Sequence, residues 1–301
     1  MKKILVIHYS QTGQLTEILN SVTKEISSNC IIENVQILPK NDFLFPWKTN
    51  VFFEEMADTV ALNGVELNDF ILNEKKYDLI ILGYQPWFLS ISRPITGLFS
   101  CEKFTNIIKN TPVITVIGAR NMWINAQKDM RILLHKFEAN LVGNIPLIDK
   151  NPNLISALTI SYWMFTGRKD RKWGIFPKPG VSDEDINDAY VYGKIIENHL
   201  EKNDFESLQT QLMDKGNFSI NWDILFIEER AKKIFYVWSK IILKNSISAK
   251  RKKRFVLAFR VYLTFALFII SPIILSLYFI LFRIFLIKWE KTKINNYLQI
   301  N

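Results

Sequence analysis

The sequence predicts an α/β fold: a doubly wound, five-stranded parallel sheet that carries a C-terminal, membrane-associated helical tail. Three observations carry that prediction. Apolar runs of strand length alternate with segments of helical spacing from residue 2 to about residue 150. The first run opens into a polar loop with one Gly at a helix start, Ser10-Gln11-Thr12-Gly13-Gln14. Far downstream, Val261 to Phe282 is 22 residues without a charge, behind the basic run Lys250-Arg251-Lys252-Lys253-Arg254.

Ile4 to Ile7 reads as a buried strand, and a helix starts at Leu15 or Thr16. Unpaired N–H groups and the positive end of the helix dipole make the corner between them a place for an anion. Ser10 and Thr12 add hydroxyl donors, and Gly13 lets the backbone come close. No Lys lies in the loop, which argues against a nucleoside-triphosphate loop and suits a phosphate held by neutral donors, such as that of flavin mononucleotide (FMN). The competing reading is an ordinary strand–turn–helix corner. Leu15, Ile18, Leu19, Val22 and Ile26 recur at helical spacing, and Ser27-Ser28-Asn29 closes the helix. Cys30 to Leu38 is a second strand ended by Pro39, so strand, helix and strand form a βαβ unit with parallel strands.

Phe43 to Leu62 packs the aromatics of FLFPWKTNVFF ahead of EEMADTVAL. It reads as a loop and short helix covering the sheet, as an apolar wall for a greasy substrate, or as a lid over a cofactor. Tyr77 to Tyr84 is apolar on both faces, as a central parallel strand must be. Gln85-Pro86-Trp87-Phe88 follows at its carboxyl end, where open α/β sheets bind ligands. Trp87 either closes on such a ligand or caps the core. Ser92 to Phe104 reads as a helix with Ser92 as N-cap and Pro94 in its first turn. Thr111 to Ile117 is a fourth strand, opening into Gly118-Ala119-Arg120-Asn121-Met122-Trp123. A helix follows from about Asn121 to Glu138, and Leu141 to Ile148 is the fifth strand. The last helix of the unit, Ser182 to about Lys202, begins with acids that suit a helix N-terminus.

The domain reading is therefore residues 1–202, with insertions at 39–62 and 151–181, a linker at 203–254 and an anchor at 255–301. In the second insertion, LISALTISYWMF (154–165) is too short to cross a bilayer. With Arg168, Lys169, Arg171 and Lys172 behind it, it suits a membrane interface, a substrate wall or a helix on the sheet edge. Trp222 to Lys244 has helical periodicity. Charge divides sharply: residues 231–301 hold 14 Lys/Arg against Glu290 alone, whereas residues 1–230 hold 24 against 28 acids. A basic tail on an acidic body points to an anionic membrane surface and away from nucleic acid. Val261 to Phe282 spans about 33 Å as a helix, close to a hydrocarbon core of about 30 Å. Pro272 is expected to kink it. Lys288, Lys291 and Lys293 make the far flank basic too, which leaves a re-entrant hairpin at Ser271-Pro272 open, with Arg260 and Arg283 able to snorkel. Cys30 and Cys101 have no metal or redox spacing and fit a reducing compartment. His8, His135 and His199 form no metal constellation, and Met1-Lys2-Lys3 opens into a strand without a signal-peptide apolar region.

The phosphate-type loop Ser10-Gln11-Thr12-Gly13-Gln14 resembles that of the flavodoxin-like superfamily, whose usual form is S/T-x-T-G-N-T. Gln14 in place of Asn keeps the amide. Leu15 in place of Thr loses a hydroxyl donor, as in quinone-reductase members. The predicted strand order, 2-1-3-4-5, is that of the same fold. The resemblance implies FMN, with its phosphate on Ser10, Gln11, Thr12, Gly13, Gln14 and Leu15. It places the isoalloxazine against Pro86, Trp87 and Phe88, and its pyrimidine side against Gly118, Ala119, Arg120 and Trp123. Arg120 there either supports charge on the reduced ring or is a solvated surface side chain.

Over its first 50 residues, with KKILVIHYSQTGQLTE and FLFPW, and in its apolar basic tail, the chain also resembles the dialkylresorcinol condensing enzyme family. Those proteins are encoded with a ketosynthase in bacterial aryl-lipid and flexirubin-type pigment pathways. That resemblance implies a lipid-like substrate and a possible ketosynthase partner, while the five basic residues Lys250 to Arg254 place the near flank of the anchor, and with it the flavin domain, on the cytoplasmic face of the inner membrane. Neither cysteine has the His/Asn or His/His setting of a condensing-enzyme nucleophile. A flavin fold suits an aromatising oxidation of a 2,5-dialkylcyclohexane-1,3-dione better than a condensation; electron transfer and a non-catalytic role beside the ketosynthase are the alternatives. Many superfamily members form homodimers, which the residues neither require nor exclude.

Overall fold

A computed structural model of the chain describes the backbone of residues 1–26, 29–216, 218–281 and 283–300, and their side chains except 283–289 and 291. Ser27 and Ser28, and the side chains of Arg283, Lys288 and Lys291, lie outside the described residues.

The sheet is built from β1 (Lys2–His8), β2 (Cys30–Gln36), β3 (Leu79–Tyr84), β6 (Pro112–Ala119) and β7 (Asn140–Ile148), in the order β2-β1-β3-β6-β7, all parallel. A two-residue hairpin, β4 (Pro86–Trp87) and β5 (Ser90–Ile91), caps the carboxyl end of β3. The predicted order and all five predicted strands are present. Alternation along each strand divides the two cores. Ile4, Val6, Leu79, Ile81, Ile114 and Val116 face one side. There they meet α1 (Gln14–Thr23), α8 (Asp183–Asp188), α9 (Val191–Lys202) and α10 (Leu208–Gly216). Leu5, Ile7, Ile80, Leu82, Val113 and Ile117 face the other. There lie α4 (Arg93–Leu98), α5 (Glu102–Ile108), α6 (Ile124–Lys136) and the first turns of α11 (Trp222–Lys244). Period-2 side chains on a sheet covered on both faces need this arrangement.

The first insertion holds α2 (Thr49–Glu54) and α3 (Met56–Val60). Arg93 fastens it, donating to Glu55 Oε2 at 2.5 Å, Asn63 O at 2.9 Å and Gly64 O at 3.3 Å. Gly64 and Gly97 let the two segments touch backbone to backbone: a Cβ on Gly64 would stand 2.7 Å from Gly97 Cα.

Three expected helices differ. The Ser92–Phe104 helix is two, α4 and α5, broken around Ser100. Phe99 and Phe104 both bury on the same core at 5.4 Å. Five residues apart on one helix they would point about 140° from each other, so the chain must turn. The Asn121 helix starts only at Ile124, because Asn121, Met122 and Trp123 bury as loop. The Ser182 helix breaks at Ala189–Tyr190 into α8 and α9. Ser182 caps α8 as expected, accepting from Asp185 N at 3.0 Å, but Asp185 returns to the Ser182 hydroxyl instead of its backbone N–H.

Apolar residues 154–165 form α7 (Asn153–Thr166). Residues 203–254, expected as a linker, fold onto the body: α10 packs on β7, and α11 packs on α3 and α6. Beyond them, α12 (Ala249–Phe265), a π-helical turn (Ala266–Ile270) and α13 (Ser271–Leu281) make one continuous helix, the one among the described residues long and apolar enough to cross a membrane. Pro272 lacks an N–H and crowds the carbonyl four residues back, and the wider π turn just before it takes up that misfit. No hairpin forms at Ser271-Pro272. Finally α14 (Arg283–Leu298) returns to the body.

Candidate functional site

The carboxyl ends of β1, β3 and β6 meet at one edge of the sheet, and the three loops singled out in the sequence leave from there. In the first loop Gly13 sits at the N-cap of α1 with φ 85°, and a Cβ there would meet nothing within 4 Å. The corner is thus open to solvent and left-handed, which a Gly adopts freely. Ser10 is buried, and its Oγ has no hydrogen-bond partner. Thr12 Oγ1 lies 3.5 Å from Gln14 N, too long for a firm bond.

The remaining loop residues build the frame. Gln11 N donates to Gln85 Oε1 at 3.1 Å, Gln11 Nε2 to Phe43 O at 2.6 Å, and Tyr9 OH donates to Gln11 Oε1 at 2.6 Å. Gln14 pairs with the backbone of Val181 through both amide atoms at 3.1 Å. Leu15 points into the core beside Ile18, so anything it offers an anion comes from its N–H.

In the second loop Phe88 and Leu89 both have positive φ, 46° and 61°. That is the backbone of a type I′ turn, which normally draws Asn or Gly. Surrounding contacts hold this strained hairpin. Lys232 of α11 donates to Leu89 O at 3.1 Å, Ser90 Oγ at 2.6 Å and Asp129 Oδ2 at 2.5 Å. Phe88 stacks at 4.6 Å on Phe52 and at 6.3 Å on Phe259 of α12. Trp87 meets Tyr9, Phe43 and Trp47 edge-on at 5.9, 5.1 and 5.3 Å. With Trp47–Phe52 at 5.7 Å, an unbroken run of rings leads from Tyr9 at the end of β1 to Phe259 in the tail. Pro86 opens β4, half-buried.

In the third loop a Cβ on Gly118 would meet Leu15 and Ile18 side chains at 3.4–3.8 Å, so what comes close there is α1. Ala119 and Arg120 carbonyls accept from Asp149 N. Arg120 is not a solvated surface residue. It is half-buried, its Nη1 donates to Asn153 O and Oδ1 at 3.0 and 2.9 Å, and desolvation lowers its pKa to about 10 against the pull of Asp149 and Glu228. Trp123 is buried in the core.

Several residues here were not among the site residues expected from the sequence. Both side-chain polar atoms of Asn121 are buried without a partner, as are Ser92 Oγ and Asn125 Nδ2. Ser92 stands at the N-cap of α4 but makes no cap bond. With Ser10 these orphans follow β1, β3 and β6 at the same sheet edge, and buried polar groups left unpaired call for a partner. The sequence signal for Asn121 was a lone amide between a strand end and the apolar pair Met122-Trp123. His8, last in β1, bonds Thr16 Oγ1 at 2.9 Å, and burial lowers its pKa to about 4, so it is neutral. Glu228 accepts from Asn125 N at 2.7 Å, and desolvation raises its pKa to about 7. No group of three or more His, Cys, Asp or Glu that could hold a metal occurs among the described residues. A cleft of about 570 Å³ lies between Asp149–Asn151 and Pro177–Asp188, next to the first and third loops through the Gln14–Val181 and Asp149–Ala119 bonds. It is a solvated charge cluster: Lys178 pairs with Asp183 at 3.0 Å, and Lys150 with Asp185.

The open αL corner, the unpaired hydroxyl of Ser10 and the unpaired amide of Asn121 fit an anionic, planar cofactor such as FMN. Gln85 on the Gln11 N–H leaves the phosphate to the later N–H groups of the loop and first turn.

No protein-family model and no curated protein matches the chain. Solved structures do. A flavoprotein from Lactobacillus acidophilus NCFM in complex with FMN shares 15% identity over 48% of this chain and 93% of its own, with a TM-score of 0.40. A flavoprotein from Bacteroides uniformis ATCC 8492 shares 16% over 54% and 97%, at 0.38. A flavone reductase shares 12% over 67% and 64%, at 0.32. The fold assignment stands on the strand order and register.

Proposed function

We propose that the protein is an FMN-dependent oxidoreductase, attached to a membrane by its C-terminal helices and acting on a lipid-like cyclic dione. The observation that carries the reading is the set of unpaired buried polar atoms of Ser10, Ser92 and Asn121 at the sheet edge from which the open, left-handed Gly13 corner also leaves. Phosphate would sit over the N–H groups of Thr12 to Leu15, with the Ser10 and Thr12 hydroxyls as further donors. Trp87 would close the ring edge, and Asn121 would meet the polar side of the isoalloxazine. When bound, FMN supplies a two-electron acceptor that takes hydride at N5.

The resemblance to the dialkylresorcinol family supports a particular reaction. A 2,5-dialkylcyclohexane-1,3-dione loses a proton from one ring carbon and a hydride from its neighbour, and enolisation then gives the 2,5-dialkylresorcinol. The aromatic run from Tyr9 to Phe259 supports a substrate with alkyl chains, because it is a continuous apolar layer from the loops to the tail along which Trp87, Phe52 and Phe88 are partly exposed. A ketosynthase would supply the dione.

The test is the visible spectrum of protein purified in detergent, followed by anaerobic addition of a synthetic dialkyl dione. Flavin bands that bleach as resorcinol forms support the proposal. Colourless protein that takes up no FMN sinks it. Flavin that bleaches only with a reductase, never with dione, leaves a tethered electron carrier.

A further inference from the structure

The uncharged stretch in the tail has the length of a membrane span, yet it is fastened to the body near both of its ends. Phe259 meets Phe235 and Trp238 of α11 at 5.3 and 5.8 Å. Nineteen residues on, Tyr278 stacks on Phe226 at 4.2 Å, and Trp222 Nε1 donates to its hydroxyl at 2.9 Å. The segment, about 28 Å long between these contacts, therefore runs antiparallel to α11, which advances about 19 Å between its own contact residues. Midway, residues 264–265 and 268–270 are exposed. Abreast of it in α11 are Asp223, Glu228, Glu229, Arg230, Lys232 and Lys233, and α11 is tied to the body by Lys232–Asp129, Lys128–Glu229 and Ser239–Ala57. A crossing would drag these charges and α6 into hydrocarbon, where charged side chains are strongly unfavourable.

The far end returns to the body as well. Glu290 accepts from Tyr278 OH at 2.6 Å, Tyr297 OH donates to Glu229 at 2.5 Å, and Leu298 O accepts from Gln209 Nε2 at 2.8 Å. Both ends of the apolar stretch thus lie on one side of it.

The face turned away from α11 is apolar and open. Leu257, Val261, Phe265, Ile273, Leu277 and Ile280 are each more than half exposed and recur at helical spacing. Such a patch is far larger than a soluble monomer leaves bare. At its start stand the exposed Arg251, Lys253 and Arg254, with Lys250 before them and Arg260 a few residues on.

From this we infer that α12–α13 is an in-plane, single-leaflet docking surface for an anionic lipid membrane. The outward stripe sinks among acyl chains and the basic run meets the headgroups. The helix lies flat and does not cross. The inference deepens the membrane attachment proposed above and is independent of flavin.

Single spin labels at Leu257, Val261, Phe265, Ile273, Leu277 and Ile280, on full-length C30A/C101A protein bound to phosphatidylcholine–phosphatidylglycerol vesicles, test it through collision with oxygen and a water-soluble nickel complex. All six labels are expected at one shallow depth. A depth that passes through the midplane from Leu257 to Ile280 overturns the flat placement while leaving attachment standing. Labels that never leave water, with the protein dimeric in solution, assign the stripe to a second copy and overturn both. As a second arm, R251Q/K253Q is expected to weaken binding to the anionic vesicles about 30-fold at low salt, with no change on phosphatidylcholine alone. Equal binding of the variant and the native protein to both compositions overturns the assignment to anionic lipid.

Discussion

Replacing Lys232 with Met tests whether α11 holds the hairpin at the candidate flavin loop. The ammonium makes three bonds, to Asp129, Ser90 and Leu89 O. Its side chain is 20% exposed and that of Asp129 18%. Met keeps most of the apolar stem, so packing changes little. What is lost is a charge-assisted bond worth about 1.5–3 kcal/mol, and Asp129 is left charged with little water. A fully buried pair broken on one side costs about 3–5 kcal/mol, and the residual exposure here brings the expectation down to about 2–3 kcal/mol.

The loss should depend on pH. Desolvation already raises the Asp129 pKa, and Lys232 opposes it. Without Lys232 the folded-state pKa rises further above the unfolded value. A carboxylate with a raised folded pKa loses stability as pH climbs through that pKa, so K232M should lose more at pH 8 than at pH 5. Urea melts of K232M, D129N and K232M/D129N give the coupling energy, expected to exceed about 1 kcal/mol. Relaxing Phe88 and Leu89 from positive φ should also weaken FMN binding several-fold. A K232M protein within about 0.5 kcal/mol of the native one at both pH values, with unchanged FMN binding, would refute the clamp.

Three further outcomes are expected. Gly13→Ala should cost about 1–2 kcal/mol through its left-handed backbone, with a drop in FMN affinity measured by fluorescence titration; an unchanged affinity would remove the corner from the phosphate site. Asn121→Leu removes an unpaired buried amide, so the apoprotein should melt at the same temperature or higher while FMN binding falls at least tenfold; a lower melting temperature with normal FMN binding would make Asn121 structural. Glu228→Gln keeps an acceptor for Asn125 N and removes a carboxyl whose raised pKa, about 7, costs stability as pH rises from the unfolded value towards 7. The variant should therefore gain on the native protein in melts at pH 8 relative to pH 5, and a constant difference would show that Glu228 does not titrate there.

The strands were legible because their signal is local. A central parallel strand must be apolar on both faces, and Tyr77 to Tyr84 says so within a few residues of sequence. The loop with Gly13 was legible for a similar reason: left-handed backbone at a helix start restricts residue type at one position. Helix breaks were less so, since only the shared core of Phe99 and Phe104 forces the turn between α4 and α5.

What the chain order could not convey is which distant groups leave each other unpaired. Asn121 is an ordinary loop amide until its neighbours in space turn out to be apolar, and Arg120 is an ordinary cation until Asn153 takes its guanidinium. Lys232 belongs to a region read as linker, and its hold on Leu89 joins residues 143 apart. The tail shows the division most plainly. Twenty-two uncharged residues mark this stretch as long and apolar enough to cross a membrane, because that property depends on length and composition alone. Where its two ends are held is absent from that composition, and only the bonds of Tyr278, Tyr297 and Leu298 to the folded body supply it.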